Sequence, residues 1–179
     1  MIEIKRIDQV NKNDINIPNE PFSLWGKMIP TYDGDKWAYT TEKFEASKVN
    51  EMVFPDEKYD YNAMKKEHFF VGAYNEYGKC IGLAIYKQDW LKYLYLEDLK
   101  VYKAYRGQGI GMKLLDEGKK IASENGYRGV YTIGQDNNLS ACLFYINTGF
   151  SIGGFNTHVY GGTNQADISN IYFYLDLLK

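Results

Sequence analysis

The chain predicts an α/β fold in which a central mixed β-sheet is flanked by helices. Three observations lead there. Apolar β-type runs recur at 68–74, 80–86 and 93–101, separated by turn residues. A glycine-rich turn at 106–111 joins the third run to an amphipathic stretch of helical period. A second glycine-terminated helical stretch is then followed by further strands, giving the order ββ-β-α-β-α-β-β. At 179 residues one domain, 1–179, is expected, because dividing this length would leave two small cores.

The elements follow in order. The first 20 or so residues are polar and Asn/Asp-rich, and read as a short strand followed by loop. Between Pro18 and Pro30 the prolines bound a short element, with Phe22, Trp25 and Met28/Ile29 at helix-like steps. Trp37 to Tyr39 reads as a brief strand, and residues 42–68 as a charged mobile loop with a weak helix. His68–Tyr74 and Cys80–Tyr86 form a hairpin around Asn75-Glu-Tyr-Gly-Lys, and Tyr93–Val101 is a third, alternating strand. A helix runs from the Gly-rich turn to about Asn125, with Ile110, Leu114, Leu115, Gly118, Ile121 and Ala122 on one stripe, and Gly126 ends it. Gly129–Ile133 is a buried strand, and residues 93–133 make a right-handed strand–helix–strand crossover to a parallel pair. A second helix spans Asn138 to Thr148, and strands follow at Ile152–Tyr160 and Asn170–Leu178.

Composition excludes several classes. Apolar residues make up 45% and charged residues 25%, which is a globular balance rather than a disordered one. No apolar run approaches the ~20 residues that span a bilayer, and the start lacks a signal-peptide core. The net charge, 21 − 23 = −2, argues against nucleic-acid and membrane partners. Two cysteines, Cys80 and Cys142, are too few for a disulfide framework, so a cytoplasmic location is expected. The 17 tyrosines suit strands, and they also suit a polar ligand cleft.

The chemistry centres on Arg106-Gly107-Gln108-Gly109-Ile110-Gly111. Glycines let backbone N–H groups approach an anion closely, and the helix that follows aims its N-terminal dipole at the same point. No Lys-Ser/Thr follows the last glycine, so this is not a P-loop, and the spacing departs from a Rossmann fingerprint. Asn138 and Tyr145 are seven apart, two helical turns, and share a face. Cys142 lies on the same helix with no His close in sequence, and reads as a small buried hydrophobe.

The strand end Leu99-Lys100-Val101 with the turn Arg106–Gly111 resembles the cofactor motif of the GNAT N-acetyltransferases, with Lys103 where proline is frequent. Asn138-Leu-Ser-Ala-Cys-Leu-Phe-Tyr145 through Gly149-Phe150 resembles that family's second motif, and the likeness covers about 68–160. It implies the GNAT acyl-CoA N-acyltransferase fold, acetyl-CoA as cosubstrate, no metal, and direct transfer to an amine. An alkylamine of pKa ~10.4 must lose a proton before attack. The resemblance implies Tyr145 as general acid toward the departing thiolate and a carboxylate base at Glu97 or Asp98. Strand alternation puts those two on opposite faces, and Glu97 is favoured. A bulge near Val101 would free a backbone N–H to polarise the thioester carbonyl, and the pantetheine arm would add there like a strand. Leu99, Lys100, Val101, Arg106, Gly107, Gln108, Gly109, Ile110, Gly111, Asn138 and Tyr145 would hold the cofactor.

Pro18 to Tyr32, Trp37, Tyr93–Leu99 and Gln135–Tyr145 look like the streptothricin acetyltransferases over most of the chain. The implied acceptor is the β-lysine amine of streptothricin, with Trp25, Asp98 and Asp136 as substrate contacts and antibiotic resistance as the outcome. Glu51, Asp56, Glu57 and Asp60 add acidity suited to a polycation, or form a solvated charged loop. Members of that group carry Glu-Thr before the Gln-Asp and Asp-Thr after the second helix, whereas this chain has Ile133-Gly134 and Asn156-Thr157. Two candidate cation-binding carboxylates are therefore missing. His158 in that strand has either a local partner or a substrate proton to act on. An aminoglycoside, polyamine or protein amine remains open as acceptor, as do a homodimer and a non-catalytic CoA-binding role.

Overall fold

The computed structural model describes residues 1–177. In chain order the strands are β1 (Glu3–Arg6), β2 (Phe22–Leu24), β3 (Gly26–Tyr32), β4 (Trp37–Lys43), β5 (Asn50–Met52), β6 (His68–Tyr74), β7 (Cys80–Lys87), β8 (Tyr93–Val101), β9 (Gly129–Gln135), β10 (Ser151–Asn156) and β11 (Asn170–Asp176). The helices are α1 (Tyr61–Met64), α2 (Ile110–Glu124) and α3 (Leu139–Asn147). The fold class is the expected one, mixed α/β with a mostly antiparallel sheet and flanking helices. Two compact units divide the chain, residues 1–20, 54–130 and Leu177 in one, 21–53 and 131–176 in the other.

In the first unit the strands run antiparallel in the order β1-β6-β7-β8. Helix α2 packs on them through Ile110, Leu114, Leu115, Gly118, Ile121 and Ala122, the stripe that the 3.6-residue period marks in the sequence. Arg6 on β1 clamps the outer side of α2, with Nε 2.8 Å from Glu117 and Nη1 2.7 Å from Glu124. Gly126 follows the helix at φ +74°, as a left-handed terminator does. Ile7, Ile15, Ile17, Phe70, Tyr74, Leu83 and Ile85 close a second core under the N-terminal segment.

The second unit holds β9 from Tyr131 onward, β11 and β10 in that order, the ribbons β2–β5 and β3–β4, and α3 packed on β2 and β3. Residues 22–32 are strands, not the helix-like element expected. Phe22, Trp25 and Met28 do fall at three-residue steps, but burial in β3 alternates, with Gly26, Met28 and Pro30 inside. Pairing with β4 from Gly26↔Lys43 to Tyr32↔Trp37 decides the outcome. The stretch 42–68 also carries more structure than a mobile loop: the end of β4, a 3₁₀ turn at Ala46–Lys48, β5, and the single turn α1, capped by Asp60. Strand β10 stops at Asn156, so His158 lies beyond it rather than within it. The expected strand end at Leu178 lies outside the described residues. No helix among the described residues is long and apolar enough to cross a membrane.

Candidate active site

The first unit's chemistry begins on β8. Its pairing with β7 is regular from Gly82↔Val101 to Ile85↔Asp98, then slips to Tyr86↔Leu96. The bulge therefore falls at Glu97, four residues before the place expected near Val101. An inserted residue interrupts alternation and re-aims side chains: Asp98 meets the Tyr59 hydroxyl and Glu97 meets His68, and both charges act on the Tyr59 phenol. Burial and these charges, with Glu57, push that phenol far above its usual range.

The neighbours Glu97 and Asp98 have different partners. Asp98 accepts from Lys100 Nζ at 3.0 Å and from the Tyr59 hydroxyl at 3.3 Å. Burial raises its pKa against the pull of Lys100. Lys100 also donates to Glu57 at 2.7 Å. Burial pushes the Glu57 carboxyl up, but Lys100 and Asn19 outweigh it and the net shift is downward. Glu97 Oε2 instead lies 3.1 Å from His68 Nε2, at ion-pair distance without hydrogen-bond alignment. His68 was not foreseen. With only two histidines in the chain, its place at the head of a strand was the available signal.

Beyond β8 the chain turns through a 3₁₀ step at Lys103–Tyr105. Arg106 Nε donates to the Val101 carbonyl at 2.8 Å, folding the turn back on the strand end, while Leu99 stays in register with Ala84. Gln108 Nε2 reaches the Ala104 carbonyl at 3.3 Å. Gly107 and Gly109 adopt φ of +76° and +74°, and a Cβ on either would meet nothing within 4 Å. The approach to this backbone is thus open. Gly109 begins α2 with no side-chain hydrogen bond, so it gives no acceptor to the helix's first N–H groups, which no helical carbonyl can reach. The Ile110 side chain is buried, 3.3 Å from where a Cβ on Gly82 would sit, so only the backbone of Ile110 and Gly111 faces that opening. Glu20 accepts from the Lys103 N–H and lies 3.9 Å from Arg106 Nη2. Geometry and helix dipole together make this turn suited to receive an anion.

In the second unit Asn138 is the N-cap of α3, its Oδ1 accepting from Ala141 N–H at 3.2 Å. The Tyr145 ring packs among Phe173, Phe150 and Phe144 at centroid distances of 5.3, 5.5 and 5.6 Å. Gly134 gives that ring room, since a Cβ there would come within 3.6 Å of it. Cys142 is fully buried and its thiol is pushed up to about 12, chiefly by burial and then by Asp136. Trp25 Nε1 donates to Ser140 Oγ at 2.6 Å, fixing the indole on α3. Asp136 has 0% exposure. Its Oδ1 accepts from Ser169 N–H at 3.1 Å, and its Oδ2 lies 3.1 Å from Lys27 Nζ without hydrogen-bond alignment. Its carboxylate is thus an internal pin, not a surface for a ligand. His158 Nδ1 lies 2.9 Å from Thr157 Oγ1, the local partner that was one of its two readings.

The acidic stretch is tied down as well. Asp56 accepts from Asn19 N–H at 2.7 Å and Asp60 from Asn62 N–H at 2.9 Å. Glu51 is exposed on β5.

Comparison with known proteins gives a consistent answer. The profile of the Acetyltransferase (GNAT) family matches residues 35–150. Streptothricin acetyltransferase A of Bacillus subtilis (strain 168) is 34% identical over 171 residues, covering 96% of this chain and 98% of that protein. A crystal structure from Bacillus anthracis str. Ames, of a protein provisionally assigned as a streptothricin acetyltransferase and in complex with acetyl coenzyme A, superposes with a TM-score of 0.87 at 29% identity and covers 99% of both chains. The crystal structure of nourseothricin acetyltransferase superposes with a TM-score of 0.78 over 98% of both chains, and at 21% identity it speaks for the fold alone.

Proposed function

This chain belongs to the Acetyltransferase (GNAT) family and is an N-acetyltransferase, and on that premise we propose that it moves the acetyl group of acetyl-CoA directly onto the β-lysine amine of streptothricin. The observation that carries the cosubstrate half is the uncapped, glycine-opened start of α2 directly after β8. The turn Arg106–Gly111 holds the pyrophosphate on backbone N–H groups, and the Leu99–Val101 strand end takes the pantetheine arm. The acceptor half is supported by the Bacillus subtilis relative, 34% identical over nearly the whole chain. The family match draws on residues of both units, which supports reading 1–179 as a single acetyltransferase domain. A cytoplasmic site of action goes with that cosubstrate.

A thioester is already activated, so the protein's work is orientation and proton handling. Glu97 removes the proton from the acceptor ammonium. Asp98 is the weaker candidate because Lys100 and Tyr59 both already engage its Oδ2. The amine nitrogen then attacks the carbonyl carbon, the C–S bond breaks, and Tyr145 protonates the thiolate. Trp25 offers an apolar wall to the substrate.

The test is acetyl transfer measured by CoA release across a panel of streptothricin, an aminoglycoside, a polyamine and a peptide amine. Streptothricin is expected to lead in kcat/KM by at least roughly tenfold, equal to ~1.4 kcal/mol of discrimination, and cells expressing the protein to survive it. A panel led by another amine overturns the acceptor. Tyr145→Phe is expected to lower kcat ~10²-fold with the KM for acetyl-CoA unchanged, and full activity in that variant removes Tyr145 from the reaction.

A further inference from the structure

We propose that His68 is a positioning residue for Glu97, holding one carboxylate oxygen so that the other faces the acceptor amine; this rests on the reading of Glu97 as the base. His68 Nδ1 lies 3.1 Å from the Met64 carbonyl oxygen. A carbonyl only accepts, so Nδ1 carries a proton. The other ring nitrogen, Nε2, is 3.1 Å from Glu97 Oε2. A neutral ring would there set a bare nitrogen lone pair against a carboxylate oxygen, two acceptors in contact. The contact is favourable only when Nε2 carries a proton as well, so that the ring and the carboxylate meet as an ion pair, which does not depend on hydrogen-bond alignment. Imidazole beside carboxylic acid would also avoid the clash but would leave Glu97 unable to accept the amine proton, so the reactive form is imidazolium beside carboxylate, a pair without net charge.

The surroundings favour such a fixed pair. The His68 side chain is 10% exposed and that of Glu97 28%. Glu97 Oε2 is itself buried, so the exposure of that side chain belongs to its other atoms. Phe70 stacks on the imidazole at 6.1 Å and 16°, fixing the ring plane. Met64 ends α1, whose N-terminus Asp60 caps through Asn62 and Ala63. The bulge at Glu97 brings the carboxylate to this anchor. Other charged and titratable groups stand around the pair. Lys87 on β7 is opposite His68 in register, Tyr59 feels the Glu97 charge, and Asp98, Lys100 and Glu57 form the adjacent network. In the reaction the proton leaving the acceptor ammonium goes to Glu97 Oε1 and then to water, while the His68 imidazolium keeps its own proton at Nε2.

The experiment compares His68→Phe, His68→Gln, Glu97→Gln and the Phe/Gln double variant by steady-state kinetics. Alongside, ¹⁵N NMR of the imidazole is recorded in wild type and Glu97→Gln. Glu97→Gln is expected to lose ~10²-fold or more in kcat. His68→Phe should lose ~10-fold with the KM for acetyl-CoA unchanged, because an unanchored base still has the right chemistry but not the orientation. His68→Gln, which keeps a donor beside Oε2, should recover part of that loss, and it also serves if the Phe variant folds poorly. The double variant should be no worse than Glu97→Gln alone. In NMR, Nδ1 should be protonated, and the Nε2 resonance should move in Glu97→Gln. Full kcat in His68→Phe and His68→Gln, additive losses in the double variant, or an unmoved Nε2 resonance each overturn the role of His68 while Glu97 stands. A fully active Glu97→Gln overturns the base itself, and the His68 role with it.

Discussion

Helices α2 and α3 end alike and begin differently. Each is followed by a glycine of positive φ, Gly126 at +74° and Gly149 at +99°. At the start, α3 is closed by the side chain of Asn138, whereas α2 has Gly109 and no side-chain cap. With glycine at the cap position a helix forgoes only about a few tenths of a kcal/mol relative to a side-chain cap. That sacrifice in α2 makes sense where a ligand anion supplies the missing acceptor, and α3 has no such need. The same two motif regions that resemble the family's pair thus begin differently: one helix has no side-chain cap, and the other is capped by Asn138.

The sharpest way to break the contrast is to supply the acceptor within the chain. Gly109→Glu sets a carboxylate at the start of α2, where the dipole favours it and the phosphate would otherwise sit. The expected result is loss of CoA binding by at least ~10²-fold in calorimetry, about 2.7 kcal/mol, with the protein still folded. Gly109→Ala is the control, since its cost is backbone strain at φ +74°, ~1 kcal/mol, and no charge. Equal losses in the two variants would mean that strain, not occupancy of the cradle, weakens binding.

What the sequence showed of these regions follows from where the signals are local. The stripe from Ile110 to Ala122 obeys the helical period and the hairpin 68–86 is marked by apolar runs around turn residues, and the structure places both in the core. Residues 22–32 mislead because their three-residue spacing is local while their pairing with 37–43 and 50–52 is not. Bulges belong to the same class. Nothing within Leu96-Glu97-Asp98 announces the slip, which is fixed by Ile85 and Tyr86 on the facing strand. The partnership of His68 with Glu97 depends on that slip, and so it too was out of reach. Asp136 shows the converse: a motif-adjacent acid reads as a substrate contact until its burial against Lys27 and Ser169 is seen.

A smaller effect separates how each helix is seated. A Cβ on Gly118 of α2 would lie 2.2 Å from the Tyr86 ring, whose hydroxyl donates to the Leu114 carbonyl at 3.0 Å. Gly134, beside α3, would meet Phe173 at 3.2 Å and Tyr145 and Cys142 at 3.6 and 3.8 Å. Gly118→Ala should therefore cost roughly 1–3 kcal/mol by overpacking a buried ring that cannot withdraw. The melting temperature should fall by about 2–4 °C per kcal/mol. Gly134→Ala should cost clearly less. A reversed order in thermal melts would mean that the seat of α2 yields more readily than that of α3.

The smallest expected effect bears most directly on the contrast. In Asn138→Ala the Ala141 N–H loses its acceptor at the start of α3, which should cost ~1 kcal/mol of stability. Because the Asn138 oxygen is engaged by its own helix, CoA affinity measured by calorimetry should stay within about twofold, under ~0.5 kcal/mol. Asn138→Asp and Asn138→Ser, which keep a capping oxygen, should restore the melting temperature. Should CoA affinity instead drop tenfold in the alanine variant and remain low in the serine variant, the Asn138 amide contacts the ligand after all. The start of α3 would then be a binding site like that of α2, and the distinction between the two helices would be lost.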